Sequence, residues 1–169
     1  MRKQCTGTMV VLVMALLAPA VLAATSPGKA VDRFFEAYRG ASAEQMIESY
    51  TEDAIFEDVN QRHHFEGPEQ IGMLLHQLVA MHHSMDVREK RRVIDGDTVV
   101  VEYDYIGQLN GAVLGQSVGK DDCPDLDYVL PATSWYRIED GRIAHQKDFV
   151  DWATFLELRQ KMLAAGSSN

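Results

Sequence analysis

Apolar positions along the chain follow a helical rhythm first and a strand alternation afterwards. Over Pro27 to Arg39, Val31, Phe34, Phe35 and Tyr38 recur at i, i+3, i+4 and i+7, which predicts a helix with one buried stripe, ended at Gly40. Ser42, with Gln45 three residues on, predicts a capped second helix carrying Met46, Ile47 and Tyr50 on one face. A short strand is predicted over Ala54 to Val59, followed by a polar loop from Asn60 to Phe65. Gly67-Pro68 then opens a third helix to about Met81, with Ile71, Leu75, Leu78 and His82 as its stripe and Leu74 and Val79 beside it.

From Met85 to Asp151 the pattern reads as strands. A charged strand runs to Ile94, Asp95-Gly96-Asp97 turns the chain, and Thr98 to Leu109 is rich in β-branched and aromatic residues. A Gly- and Asp-rich loop is predicted over Asn110 to Asp125. Leu126 to Ile138 and Arg142 to Val150 form a second hairpin about Glu139-Asp140-Gly141, and helical spacing resumes from Trp152 to Ala164. The order α-α-β-α-β-β-β-β-α predicts an α+β fold: a curved antiparallel sheet covered by N-terminal helices, with a C-terminal helix. No internal repeat or interdomain linker is visible in it.

The N-terminal residues change the picture of where this domain works. Arg2-Lys3, an apolar run from Met9 to Leu17, and Ala18-Pro19-Ala20-Val21-Leu22-Ala23-Ala24 have the charged, apolar and small-residue order of a secretory signal. The apolar run is shorter than the roughly 20 residues that span a bilayer, which favours processing over anchoring. The expected organisation is a leader over 1–23 and one domain over 24–169, periplasmic or secreted, with no stable membrane insertion after processing. Loss of Arg2 and Lys3 takes the formal charge from −9 to about −11, a balance that disfavours nucleic acid and anionic surfaces as partners. Cys5 precedes the apolar run, so only Cys123 remains and no disulfide can form within the mature chain.

The motifs carry a resemblance. Phe34-Phe35-Glu36-Ala37-Tyr38, then Tyr50 to Asp58, Phe65-Glu66-Gly67, Trp135 to Ile143, and Asp148-Phe149-Val150-Asp151-Trp152-Ala153-Thr154-Phe155 together resemble the SnoaL-like branch of the nuclear transport factor 2-like superfamily. The resemblance implies a cone-shaped curved sheet, closed at its mouth by helices, around a deep pocket with polar groups at its floor. Polyketide cyclases, steroid isomerases, limonene epoxide hydrolases and domains without chemistry share that fold, so the fold by itself leaves the activity open.

Alternation puts Val100, Glu102, Asp104, Ile106 and Gln108 on one strand face and Val99, Val101, Tyr103 and Tyr105 on the other. Which of the two looks inward is not fixed by alternation. With the acidic face inward, Asp58, Glu102, Asp104 and Asp148 converge as a catalytic set, and Phe56, Ile106, Ala132, Ser134, Tyr136, Gln146 and Phe155 line the ligand. The resemblance to epoxide hydrolases implies Asp104 and Asp148 as the acid pair, with Glu102 where that group has an arginine and Asp58 where a polar residue holds the water. Crowded carboxylates share protons and raise at least one pKa, which suits general acid catalysis near neutral pH. The opposite face, left outside, predicts a homodimer through Val99, Val101, Tyr103 and Tyr105.

Other motifs carry less. Gly115-Gln116-Ser117-Val118-Gly119 matches a nucleophile elbow in letters, but no strand precedes it and Lys120-Asp121-Asp122-Cys123-Pro124 after it reads as loop. His63-His64, His76, His82-His83 and His145 match no zinc spacing, and no dinucleotide or phosphate loop is present, so neither metal nor cofactor is expected. The expected function is binding of a small apolar molecule with carboxylate acid/base chemistry, hydrolysis or isomerisation. A non-catalytic binding domain of the same fold is the alternative.

Overall fold

The computed structural model describes residues 26–116, 119 and 123–165. The leader expected over 1–23 and Ser117 of the elbow-like sequence lie outside the described residues. Helix α1 spans Pro27–Arg39, α2 Ala43–Glu48 and α3 Gly67–Ala80; strands β1 (Tyr50–Asp58) and β2 (His63–Glu66) separate α2 from α3. Strands β3 (His82–Asp95) and β4 (Thr98–Leu109), the short helix α4 (Gly111–Gln116), strands β5 (Leu126–Glu139) and β6 (Arg142–Val150), and helix α5 (Trp152–Ala165) complete the chain. No helix of the described residues is long and apolar enough to cross a membrane.

The helix signals act as the sequence predicts, with one exception at the first terminus. Ser42 Oγ accepts the Gln45 amide at 3.3 Å and caps α2. Gly40 ends α1 in a right-handed conformation, and Ala41 takes the left-handed turn at φ 47° instead. Gly67 does need its lack of a Cβ, since φ is +74° where the chain swings from β2 into α3. Asp140 and Gly141 both have positive φ, the twist that a tight hairpin between β5 and β6 requires.

Several element boundaries correct the expectation. Strand β1 starts at Tyr50 rather than Ala54, so Tyr50 belongs to the sheet and not to the face of α2. The predicted loop over 60–65 contains β2, and the predicted loop over 110–125 contains α4. His82, expected on the stripe of α3, is the first residue of β3.

The strands form one curved, unclosed sheet in the order β2-β1-β6-β5-β4-β3. All neighbours are antiparallel except β1 and β6, which run parallel with Asp58 opposite Asp148. The inner face carries Val99, Val101 and Tyr103 of β4 and Tyr136 and Ile138 of β5 against Val31, Phe34 and Phe35 of α1. Phe35 meets Tyr103 edge-on, with ring centroids 5.3 Å apart. Full burial of a side chain the size of Phe35 contributes about 2 to 3 kcal/mol.

The face expected to form a dimer contact is therefore the core of the protomer: Val99, Val101 and Tyr103 are wholly buried, and Tyr105 is half-buried over the cavity described below. The physical reason is the usual one for an antiparallel sheet with a single covered face. Its apolar residues turn to the helices and its charged residues to solvent.

Candidate functional site

Where the helices diverge from the sheet, a cavity of about 380 Å³ opens, within the range of small-molecule pockets. Its walls are mostly apolar. Phe34 and Tyr38 of α1, Leu75 and Leu78 of α3, Tyr105 of β4 and Leu130 of β5 supply much of them, and Trp152 and Phe155 of α5 cover one side. Trp152 and Phe155 stack edge-on at 5.2 Å, which gives α5 a rigid aromatic wall.

Two carboxylates lie in this apolar setting, both from the parallel pair of strands. Asp58 and Asp148 are register partners at the ends of β1 and β6 and line the cavity together. Asp58 Oδ1 accepts the backbone amides of Asn60 and Gln61, each at 3.0 Å, and Oδ2 accepts the Trp152 indole N–H at 2.8 Å. The turn after β1 and helix α5 thus fix one carboxylate with three N–H donors, two from the turn and one from Trp152.

Asp148 is held differently. Ser134 donates to its Oδ1 at 2.5 Å, and the Gln146 amide lies 3.0 Å from both oxygens. Gln146 is itself held by the Tyr50 hydroxyl at 2.5 Å, and Ser134 by Tyr103 at 2.7 Å. The Tyr105 hydroxyl is 3.5 Å from Oδ2, beyond good hydrogen-bond reach. Burial pushes the Asp148 carboxyl up to about 7, the charge of Asp58 adds to the rise, and the Ser134 and Gln146 donors oppose it. Burial also raises the phenols of Tyr50, Tyr103 and Tyr105 well above their ordinary value, so they stay neutral donors.

The expected set of four acids divides in two. Asp58 and Asp148 come together; Glu102 and Asp104 face the other side of the sheet. Glu102 is exposed and lines a more open depression with Lys90, Thr133 and Phe149. Asp104 bonds Arg88 at 2.7 Å and pairs with Lys90, and these two cations hold its carboxyl below the usual range. Arg88 and Lys90 are two residues apart on β3 and so share the outer face with Asp104, next to a register shift between Glu89 and Arg91. Asp104 is shielded by these half-exposed basic side chains rather than by the core. The Asp104–Asp148 pair implied by epoxide hydrolases is thus not formed, and Glu102 does not replace the arginine between them.

Of the expected lining residues, Phe56, Gln146 and Phe155 reach the cavity. Ser134 lies one layer behind, bonded to Asp148; Ala132 and Tyr136 belong to the core beneath; Ile106 is on the outer face of β4. Tyr105, Trp152, His82 and Arg159 line the cavity without having been expected there. Trp152 and Phe155 have the helical spacing of core residues, and nothing in that spacing separates a core wall from a pocket wall. The His82 ring nitrogen Nδ1 is 2.5 Å from the Leu78 carbonyl, and burial lowers its pKa, so the cavity meets a neutral imidazole there. Among the described residues no three His, Cys, Asp or Glu side chains converge as a metal-binding set.

Solved structures share this architecture at low identity. A protein of Shewanella denitrificans OS-217 described as a SnoaL-like polyketide cyclase superimposes with a TM-score of 0.70 at 18% identity, covering 80% of this chain and 97% of that one. An epoxide hydrolase of Mycobacterium tuberculosis, similar to limonene epoxide hydrolase, gives 0.64 at 18% identity over 82% and 92% of the two chains. TerC, co-crystallised with polyporic acid, gives 0.64 at 15% identity over 80% and 99%. At such identities the likeness establishes the fold alone. No curated protein matches the chain by sequence. The SnoaL-like domain model matches residues 31–146, a span that contains Asp58 and the whole sheet up to Gln146, and the chain belongs to the SnoaL-like family of the nuclear transport factor 2-like superfamily.

Proposed function

We propose that this domain is a cofactor-free acid/base enzyme, an isomerase or hydrolase acting on a small, mostly apolar molecule, with Asp148 as the group that gains and loses the proton. The observation that carries the reading is a carboxyl sealed at the floor of an apolar cavity, held at about 7 beside a second carboxylate. A group poised there is both a competent acid and a competent base at neutral pH. Gln146 is shared between both Asp148 oxygens and the short Ser134 bond falls on Oδ1 alone, so proton exchange with a ligand uses Oδ2, whose other partner is the distant Tyr105 hydroxyl. Asp58, fixed by its three N–H donors, sets a second carboxylate beside Asp148, an arrangement that favours cationic character in the reacting group.

The test is solvent exchange. Cyclic enones and epoxides incubated in D2O with the wild-type domain should gain deuterium at carbon, or open, faster than with Asp148→Asn. Tight binding of such molecules with neither exchange nor opening would establish the second reading, a non-catalytic binding domain, which the apolar walls equally support.

Two further parts of the reading concern setting and assembly. The order of residues 2–23 supports export and removal of a leader, giving a periplasmic or secreted domain. A homodimer is proposed through the outer face of the sheet, in place of the inner one. Trp135 is 52% exposed and sits in one row with Val100 and Val93 across three strands, with exposed Phe149 beside Thr133 two residues along. Charges of both signs flank that row, Glu102 opposite Arg91 and Lys147 beside Glu57, so a twofold-related second copy can set opposite charges together.

A further inference from the structure

We propose that Arg159 recognises an anionic group, a carboxylate, on the ligand, so that the substrate class is an apolar skeleton with a carboxylate some distance from the reacting bond. This rests on the reading of the cavity as a small-molecule site and adds to it a polar end that the acid pair does not supply.

Arg159 lies on the cavity-facing side of α5, in line with Trp152 and Phe155 at helical spacing, and its side chain lines the cavity. Its Nε–H is shut off from solvent and has no hydrogen-bond partner. Among the described residues no carboxylate lies within ion-pair distance of it. Buried donors are almost always satisfied, and a guanidinium turned into an apolar wall with an orphaned N–H is an exception that a ligand would remove. Its planar fork matches one carboxylate in two parallel bonds, whereas a dianion such as a phosphate ester would call for more donors than this wall offers.

The spacing along α5 gives the ligand a length. Trp152 touches Asp58, and Arg159 follows seven residues later, about 10 Å along the helix axis. The carboxylate is thereby held away from Asp58 and Asp148, which would repel it at close range. The chain as a whole is acidic, with a formal charge of −9, so long-range steering does not favour an anion and the local guanidinium must supply the attraction.

Calorimetric titration with 6-phenylhexanoate and its uncharged counterpart 6-phenylhexanamide tests this. The wild-type domain should bind the carboxylate about 10-fold or more tightly than the amide, the range of a charge-assisted pair in an apolar site. Arg159→Gln should bring the two affinities within about 2-fold by lowering only that of the carboxylate, and Arg159→Lys should keep part of the preference. Equal wild-type affinities, or a preference that survives in a folded Arg159→Gln, overturn the anion site while the pocket reading stands. Binding of neither probe overturns both.

Discussion

Asp58 and Asp148 face each other across the parallel pairing of β1 and β6, yet their carboxyls are held by opposite kinds of support. Asp58 takes three N–H donors from the turn after its own strand and from α5. Asp148 takes a hydroxyl and an amide from inside the sheet, and these do not offset its burial. Two acids of one type thus stand in different surroundings, one among three N–H donors and one buried with its carboxyl raised to about 7.

Stability should carry the mark of this arrangement. Asp148 titrates at about 7 in the folded chain, against roughly 3.9 for an unfolded aspartate. Between those values the folded state holds a proton that the unfolded state has lost, so stability falls as pH rises through the interval and levels off above it. Relative to Asp148→Asn, wild type should be more stable near pH 4.5 than near pH 8 by about 2 to 4 kcal/mol. Denaturant curves for both proteins measure it; curves that stay parallel across that range would show an unperturbed Asp148.

A second stability effect is steric. Gly107 pairs with Met85 and Tyr128, and an added Cβ would collide with the Ser84 carbonyl and come within 2.7 Å of the Tyr128 hydroxyl. Gly107→Ala should cost about 1 to 3 kcal/mol and displace Tyr128, a cavity residue. A melting temperature equal to wild type would sink the point.

The legible part of this chain was what one element decides by itself. The stripe of Val31, Phe34, Phe35 and Tyr38, the Ser42 cap and the Glu139-Asp140-Gly141 turn are local signals, and each forms its element. The direction of β4 was not local. Glu102 and Asp104 could be assigned only by noticing that the adjoining strand brings Arg88, Lys90 and Arg91 beside them, which makes a solvated ionic face. Asp58 and Asp148 were in the expected set, but their pairing depends on a parallel contact between the first and last strands, the longest-range pairing in the sheet. Arg159 had no sequence signal, because a half-buried arginine on a C-terminal helix reads as surface.

Assembly separates the two faces of the sheet. Trp135→Glu should yield a folded monomer by sedimentation at micromolar concentration, while Tyr103→Lys should fail to fold, because Tyr103 is fully buried against Phe35. A wild type that is already monomeric would count against the dimer.

Export has a simple readout. The mature product should begin between Ala23 and Ser26, and intact mass of secreted material still carrying Arg2 would refute processing.

The kinetic consequence of the acid pair is the most demanding expectation. Asp148→Asn preserves shape, and its side-chain oxygen still accepts from Ser134 and Gln146, so binding should change little. What it loses is the ability to move a proton. Turnover should therefore fall by about two to four powers of ten with little change in ligand affinity, the mark of an interaction used only in the transition state. Wild-type rate should also depend on a group titrating near 7, and that limb should vanish from the residual activity of the variant. Tyr105→Phe is the control on the opposite wall, since its hydroxyl stands 3.5 Å from Asp148 Oδ2 and contributes little to holding it. Loss of the limb in Tyr105→Phe with its retention in Asp148→Asn would move the proton-transfer role from the carboxyl to the phenol.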